Sequence, residues 1–219
     1  MVIIPGTDMY IGLCGSDGKP DPVPENAVFL DQIHSNRIVI DPGGGESADG
    51  MIMGRRHGIP ALRVADCLPV FALWDDCIGA AHAGWRGLAS GIVENLITAV
   101  DQPLRWLITG PCICGECYVV GDEVREAVLS GDPAGESGHP SGRLDLRKSA
   151  FRRARRVCSE EFRLIDIDEC TFESFSLHSF RRDGTEERNF IWLAEIERDE
   201  HIRQLNSEIK CNSPERRKN

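Results

Sequence analysis

Residues 61–87 read ALRVADCLPVFALWDDCIGAAHAGWRG. Two apolar runs flank the pair Asp75-Asp76, whose side chains favour a turn, so the pattern predicts a hairpin of buried strands. Cys67 stands before the first strand and His82 at the end of the second. Gly84 and Gly87 bracket Trp85-Arg86, and a helix begins there. A thiol, an imidazole and a helix start meet where burial fixes the backbone, which points to a site rather than plain core.

Working outward toward the C-terminus, Leu88, Ile92, Val93, Leu96, Ile97 and Val100 recur at helical spacing and predict one helix, stopped before Pro103. Leu104–Thr109 reads as a buried strand and Val120–Leu129 as a helix. Ser130–Gly142 reads as a surface loop, rich in Gly, Pro and Ser. Asp145–Glu161 reads as a helix whose basic face (Arg147, Lys148, Arg152, Arg153, Arg155, Arg156) is expected to be solvated. Arg163–Ile167 and Phe190–Ile196 read as strands. Toward the N-terminus, Met51–Met53, Arg37–Ile40 and Ala27–Leu30 read as short strands. Residues 1–27, rich in Gly, Pro and Asp, are expected to hold only short edge strands. Strands and helices mix without a regular βαβ alternation, so the fold class is α+β. The expected organisation is one catalytic domain over residues 1–198 and a polar tail over 199–219.

The net charge of −10 gives no bulk attraction to phosphate backbones or anionic lipid, so neither nucleic acid nor membrane is an expected partner. A small anion still fits if local arginines make a positive pocket. No apolar run is long enough to span a bilayer, and MVIIPGTDMYIG lacks the basic start of a signal peptide, so a cytoplasmic location is expected. The nine cysteines are accordingly read as free thiols or metal ligands.

His34, Cys67 and His82 are the candidate chemical centre. Two imidazoles and a thiolate are a known zinc donor set, and three protein ligands leave a fourth position open. The same residues also suit a Cys–His catalytic centre, and both chemical readings compete with plain structural roles, a hydrogen-bonded His and a buried Cys. Asp66 beside Cys67 suits a supporting or turn-capping role, and Asp49 in Ala48-Asp49-Gly50 suits a turn. Arg86 at a helix start suits an anion such as phosphate, in competition with an ordinary surface ion pair. Arg182, in the basic turn Arg181-Arg182-Asp183-Gly184 followed by Arg188, either closes over an anionic substrate or forms a hairpin tip. Cys112, Cys114 and Cys117 invite a second metal reading. No fourth ligand stands at a recognised spacing, so small buried residues in a tight loop are the favoured reading.

Across these residues the chain resembles the laccase-domain family, known as polyphenol oxidases, peptidoglycan editing factors and purine nucleoside phosphorylases. The resemblance is carried by Gln32-Ile33-His34, Ala48-Asp49-Gly50, Ala65-Asp66-Cys67-Leu68-Pro69 and His82-Ala83-Gly84-Trp85-Arg86-Gly87. It continues through Gly110-Pro111 with Ile113 and Tyr118, Leu144-Asp145-Leu146, and Arg181-Arg182-Asp183 with Arg188. The chain departs from the family pattern at Ser35, Cys114, Val119 and Glu187. The resemblance implies a single α+β domain with mixed sheets between helical layers, a fold shared with toxin deamidases that use a Cys–His pair. It also implies one zinc held by His34, Cys67 and His82. The implied chemistry is phosphorolysis of adenosine, inosine, guanosine and methylthioadenosine, with adenosine deamination beside it. In that setting Arg86 and Arg182 would neutralise phosphate, and Asp49 or Asp66 would carry a proton. The alternatives are a Cys–His amidase acting on a peptidoglycan precursor, a copper polyphenol oxidase, and a non-enzymatic interaction protein. With six histidines in the chain, copper is the weaker metal reading.

Overall fold

The computed structural model describes residues 1–15, 23–130 and 142–196. In chain order the elements begin with β1 (Val2–Ile3), β2 (Met9–Cys14), β3 (Ala27–Val28), β4 (Ile38–Ile40), β5 (Gly50–Gly54) and β6 (Ile59–Val64). The hairpin β7 (Leu68–Leu73) and β8 (Cys77–Ala83) follows, then α1 (Trp85–Ser90), α2 (Ile92–Thr98) and β9 (Trp106–Thr109). The chain continues through α3 (Asp122–Leu129), α4 (Leu146–Val157), β10 (Arg163–Asp166), α5 (Phe180–Asp183) and β11 (Asn189–Glu195). Two mixed sheets result, one ordered β1-β2-β11-β6-β3 and the other β10-β9-β7-β8-β5-β4. The α+β class expected from sequence is the observed one.

The hairpin around Asp75-Asp76 sits at the centre of the six-stranded sheet, with Leu68 opposite Ala83 and Leu73 opposite Ile78. All six residues of β7 are buried, because both faces of this sheet are covered. That is why the segment reads as an apolar run without alternation. Pleating sends Phe71 and Leu73 to one face and Val70 and Ala72 to the other. The first face packs on the five-stranded sheet through Met51, Met53, Leu62, Ile191 and Leu193. The second packs on the helices through Leu88, Ile92, Val93, Leu96 and Ala150. On the second face α1 and α2 lie against the six-stranded sheet, with α3 packed on α1 and α4 on both.

Three expectations are corrected. The helix expected over residues 88–100 starts at Trp85 and is two helices, broken where Gly91 takes φ 92°. That left-handed residue caps α1 by donating its N–H to the carbonyls of Gly87 and Leu88. The N-terminal region holds more than edge strands: β2 lies between β1 and β11 and is mostly buried. Nor is the basic face of α4 simply solvated. Arg147 and Arg153 are buried, Arg147 beside Asp166 at 3.1 Å and Arg153 on Glu94 at 2.6 Å. They hold α4 to β10 and α2, while Lys148, Arg155 and Arg156 face solvent as expected. The surface loop expected over 130–142 falls almost wholly outside the described residues, and the tail expected over 199–219 entirely so.

Candidate metal centre and its pocket

Three separate elements deliver the central side chains. His34 comes from the loop before β4, Cys67 from the turn between β6 and β7, and His82 from the end of β8. Ligand atoms of all three lie within 4.8 Å of one another. The two imidazoles meet edge-on, with ring centroids 4.8 Å apart at 74°. His82 is buried, Cys67 half-buried and His34 exposed, so the cluster opens to solvent on one side only. Gly84 completes it: a Cβ there would stand 2.9 Å from Cys67 Sγ and 3.5 Å from His34 Cδ2. The backbone can approach the thiol so closely only without a side chain. One thiol and two imidazoles converging on one point, with one open side, fit an open zinc-type coordination site.

Asp49 sets this geometry. It is fully buried in front of β5, and its carbonyl accepts the His82 backbone N–H at 2.7 Å. Its carboxylate accepts the N–H groups of Ile33, His34 and Ser35 and the Ser35 hydroxyl. The same carboxylate accepts Nδ1–H of His82 at 2.8 Å, which leaves Nε2 of that ring with its lone pair for the site. His34 can present its ring because its backbone takes φ 60°, a conformation that a non-glycine residue adopts only when tied down. The turn-fixing reading of Asp49 therefore understates it. The carboxylate holds five donors and does not line the pocket.

The charges of the cluster are coupled. For Cys67, burial pushes the thiol up, but the His82 charge and hydrogen bonds from both imidazoles outweigh it, to about 6. Burial pushes His82 down, and the Cys67 charge together with the Asp49 bond raises it to about 9. Burial also raises Asp49, and its His82 and Ser35 bonds bring it down to about 2. Without a cation the centre is thus a thiolate–imidazolium pair backed by a carboxylate.

A pocket of about 590 Å³ opens on the cluster. Its wall carries Arg63, Arg86, Arg181 and Arg188 against only Asp31 and Asp66, a local excess of positive charge in an acidic protein. Trp85, Tyr118 and Phe180 supply aromatic surface. Arg86 is exposed at the rim with its guanidinium 4.5 Å from the Trp85 ring centre, and Arg181 lies 5.0 Å from that of Tyr118. Asp66 lines the pocket at φ 89°, with its carboxylate accepting from Thr171 Oγ1 and from the Arg181 N–H, both at 2.6 Å.

Arg182 does not join the pocket. Its guanidinium donates to the carbonyls of Thr171, Phe172, Ser174 and Leu177 and pairs with Asp183, so it clamps a loop and has no face left for phosphate. The basic segment around it is the short helix α5, not a hairpin tip. Sequence reasoning did not single out Arg63 or Phe180. No local sequence signal marks Arg63; it is tied to the Gln-Ile-His motif only in the fold, where the Gln32 side chain pairs with its backbone on β6.

Fold and site together define an α+β protein with a candidate metal centre in an arginine-lined pocket. The chain belongs to the family described as multi-copper polyphenol oxidoreductase laccase, which it matches over residues 21–194. Among curated relatives, it is 34% identical over 191 residues to the purine nucleoside phosphorylase YfiH of Escherichia coli K12, covering 78% of this chain and 75% of that protein. It is 32% identical over 187 residues to the purine nucleoside phosphorylase SCO2081 of Streptomyces coelicolor, covering 78% and 76%. Among solved structures, Neisseria meningitidis protein NMB0706 superposes with a TM-score of 0.69 at 30% identity, covering 77% and 74%. YlmD of Geobacillus stearothermophilus superposes with a TM-score of 0.66 at 25% identity, covering 78% and 74%. No helix among the described residues is long and apolar enough to cross a membrane.

Proposed function

We propose that this chain is a zinc-dependent purine nucleoside phosphorylase, with His34, Cys67 and His82 as metal ligands. The observation that carries the reading is the convergence of these three side chains beneath a pocket that holds both arginines and aromatic rings. It is supported by the names of the relatives. Adenosine, inosine, guanosine and methylthioadenosine are the proposed substrates, with adenosine deamination as a side activity.

In phosphorolysis a phosphate oxygen bonds to C1′ of the ribose as the bond from C1′ to the purine nitrogen breaks. The proton of the attacking hydrogen phosphate passes, directly or through solvent, to the departing base. When bound, Zn²⁺ supplies positive charge and one open position for an oxygen ligand. Arg86, at the rim, neutralises phosphate charge, and Arg63, Arg181 and Arg188 add to the positive field around it. Trp85, Tyr118 and Phe180 offer surfaces on which a purine stacks and water is excluded. Asp66, already accepting two hydrogen bonds, holds the Thr171 loop and the start of α5 in place.

A copper oxidase reading rests on the family's description alone and is the weaker one, because the described residues bring only two imidazoles to one cluster. A second reading does rest on a specific observation. Asp49, His82 and Cys67 form an acid–imidazole–thiol relay of the kind that activates a cysteine nucleophile, which would suit an amidase. One purified sample separates the two. Phosphate-dependent release of free purine, abolished by a chelator, supports the phosphorylase. A Cys67→Ala protein that keeps both its metal and full phosphorolysis refutes it. Amide hydrolysis that resists chelation but not thiol alkylation favours the second reading.

A further inference from the structure

We propose that Cys114, Cys117, Cys170 and Glu173 form a second metal site, which takes one tetrahedral Zn²⁺ and staples the wall of the pocket. One donor atom from each of the four lies within 4.8 Å of the other three. Two short knuckles supply them. Cys114-Gly115-Glu116-Cys117 has the C-x₂-C spacing of structural zinc sites, and Cys170-Thr171-Phe172-Glu173 repeats that spacing with a carboxylate in the last place. Both are tight turns. The Cys114 carbonyl accepts the N–H groups of Cys117 at 3.1 Å and Tyr118 at 2.9 Å, and the Cys170 carbonyl accepts that of Ser174 at 2.9 Å. A β-bridge between Cys112 and Cys170 sets the knuckles side by side.

The donor spacing admits one ion. Zinc–sulfur bonds of about 2.3 Å and zinc–oxygen bonds of about 2.0 Å give tetrahedral edges of about 3.8 Å between sulfurs and about 3.5 Å between sulfur and oxygen. Cys117 Sγ lies 3.6 Å from Glu173 Oε1. The Cys114 N–H points at Cys170 Sγ from 3.3 Å, a donor placed for a thiolate. A disulfide would use two of the sulfurs and leave the third thiol and the carboxylate without a purpose. Four donors close the site, which is the structural rather than the catalytic arrangement. Thiolates select zinc over harder cations such as Mg²⁺ and Ca²⁺.

Cys112 marks the contrast. It is fully buried, its Sγ lies against the Ile113 carbonyl, and it stays out of the cluster. Among Cys112, Cys114 and Cys117, only Cys112 follows the buried-core reading. On binding, each of the three thiols gives its proton to solvent, and the Glu173 carboxylate supplies the fourth donor. The Arg182 guanidinium, bonded to the carbonyls of Thr171, Phe172 and Ser174, places a compensating charge on the same loop. Tyr118 follows Cys117 directly and lines the pocket, and Thr171 follows Cys170 and donates to Asp66. The ion would thus tie together two loops that shape one wall of the active site.

The test is zinc content of the full chain, purified in reducing buffer with added zinc, in three forms: native, His34→Ala/His82→Ala and Cys117→Ser/Cys170→Ser. The native chain is expected to hold two zinc ions and each double variant to lose one of them. Cobalt loaded into the His34→Ala/His82→Ala form should give an intense thiolate-to-metal charge-transfer band. A zinc-free His34→Ala/His82→Ala protein overturns the proposal, as does a disulfide between any two of the three cysteines in chain purified without reductant. If Cys117→Ser/Cys170→Ser fails to fold, the His34→Ala/His82→Ala form still decides, because it leaves the second site untouched. Absence of phosphorolysis would sink the proposed activity without altering this metal count.

Discussion

The carboxylate of Asp49 stands 2.8 Å from Nδ1 of His82, and from the same buried position it gathers the backbone N–H groups of Ile33, His34 and Ser35. One side chain therefore fixes the ring of one proposed ligand and the strained backbone of another. A carboxylate that orients a metal-bound imidazole also raises its basicity.

Replacing Asp49 should accordingly act on the metal before it acts on the substrate. Asp49→Asn keeps an acceptor but loses the charge, and zinc affinity is expected to fall about 10- to 100-fold. Asp49→Ala should lose more, since it also frees the His34 loop. Competition with a chromogenic chelator measures both. An unchanged affinity in Asp49→Ala would remove Asp49 from the positioning role.

Gly84 offers a sharper probe, because its φ of −68° accepts alanine and only the side chain is at issue. The new Cβ would press on Cys67 Sγ from 2.9 Å. Gly84→Ala is expected to fold, yet to lose about 10- to 100-fold in turnover as the thiol shifts. Equal turnover in a folded Gly84→Ala protein would show that the thiol position is not critical.

How much of this was legible follows from the range of each interaction. Burial on both faces makes β7 and β8 apolar along their length, and Asp75-Asp76 can only turn between them, so the hairpin and the flanking Cys67 and His82 are readable locally. β2 is hidden because its burial depends on β11, some 180 residues away, with Leu193 opposite Ile11. Arg147 and Arg153 mislead because a sequence shows their charge but not Asp166 or Glu94 waiting in the fold. Gly91 breaks an otherwise continuous apolar stripe through its backbone alone. Asp49 and Arg182 carry ordinary turn motifs whose partners are mainly backbone groups, which leave no trace in side-chain spacing. Cys170 and Glu173 complete the thiol cluster from 56 residues beyond Cys114 and Cys117.

The coupled charges of the metal-free centre predict a pH signature. Burial raises the Cys67 thiol, and the His82 charge with its hydrogen bonds more than reverses this, to about 6 against an ordinary 9. The thiolate is the reactive form, so alkylation of chelator-treated protein should stay nearly flat from about pH 8 to about pH 7. It should then fall as the pH drops through about 6. His82→Asn removes the imidazolium and should move the inflection upward. Rebinding zinc should protect the thiol throughout. An inflection near 9 in the unaltered site would contradict the thiolate–imidazolium pair.

Arg86 and Arg182 separate phosphate recognition from scaffolding. Arg86 is exposed and bonded to no acid among the described residues, so Arg86→Ala should change stability by no more than about 0.5 kcal/mol while raising KM for phosphate. Arg182 spans four carbonyls and Asp183, and Arg182→Ala should cost about 2–4 kcal/mol by leaving those acceptors unpaired. At a temperature where it remains folded, its phosphate KM should stay near that of the parent. Arg182→Lys should not restore the stability, because a single ammonium cannot reproduce the planar fork that reaches several carbonyls at once. Thermal unfolding and phosphate-dependence curves on the same samples check the pair. A large rise in phosphate KM in a stable Arg182→Ala protein would return Arg182 to the substrate, and an unchanged KM in Arg86→Ala would leave phosphate recognition to Arg63, Arg181 and Arg188.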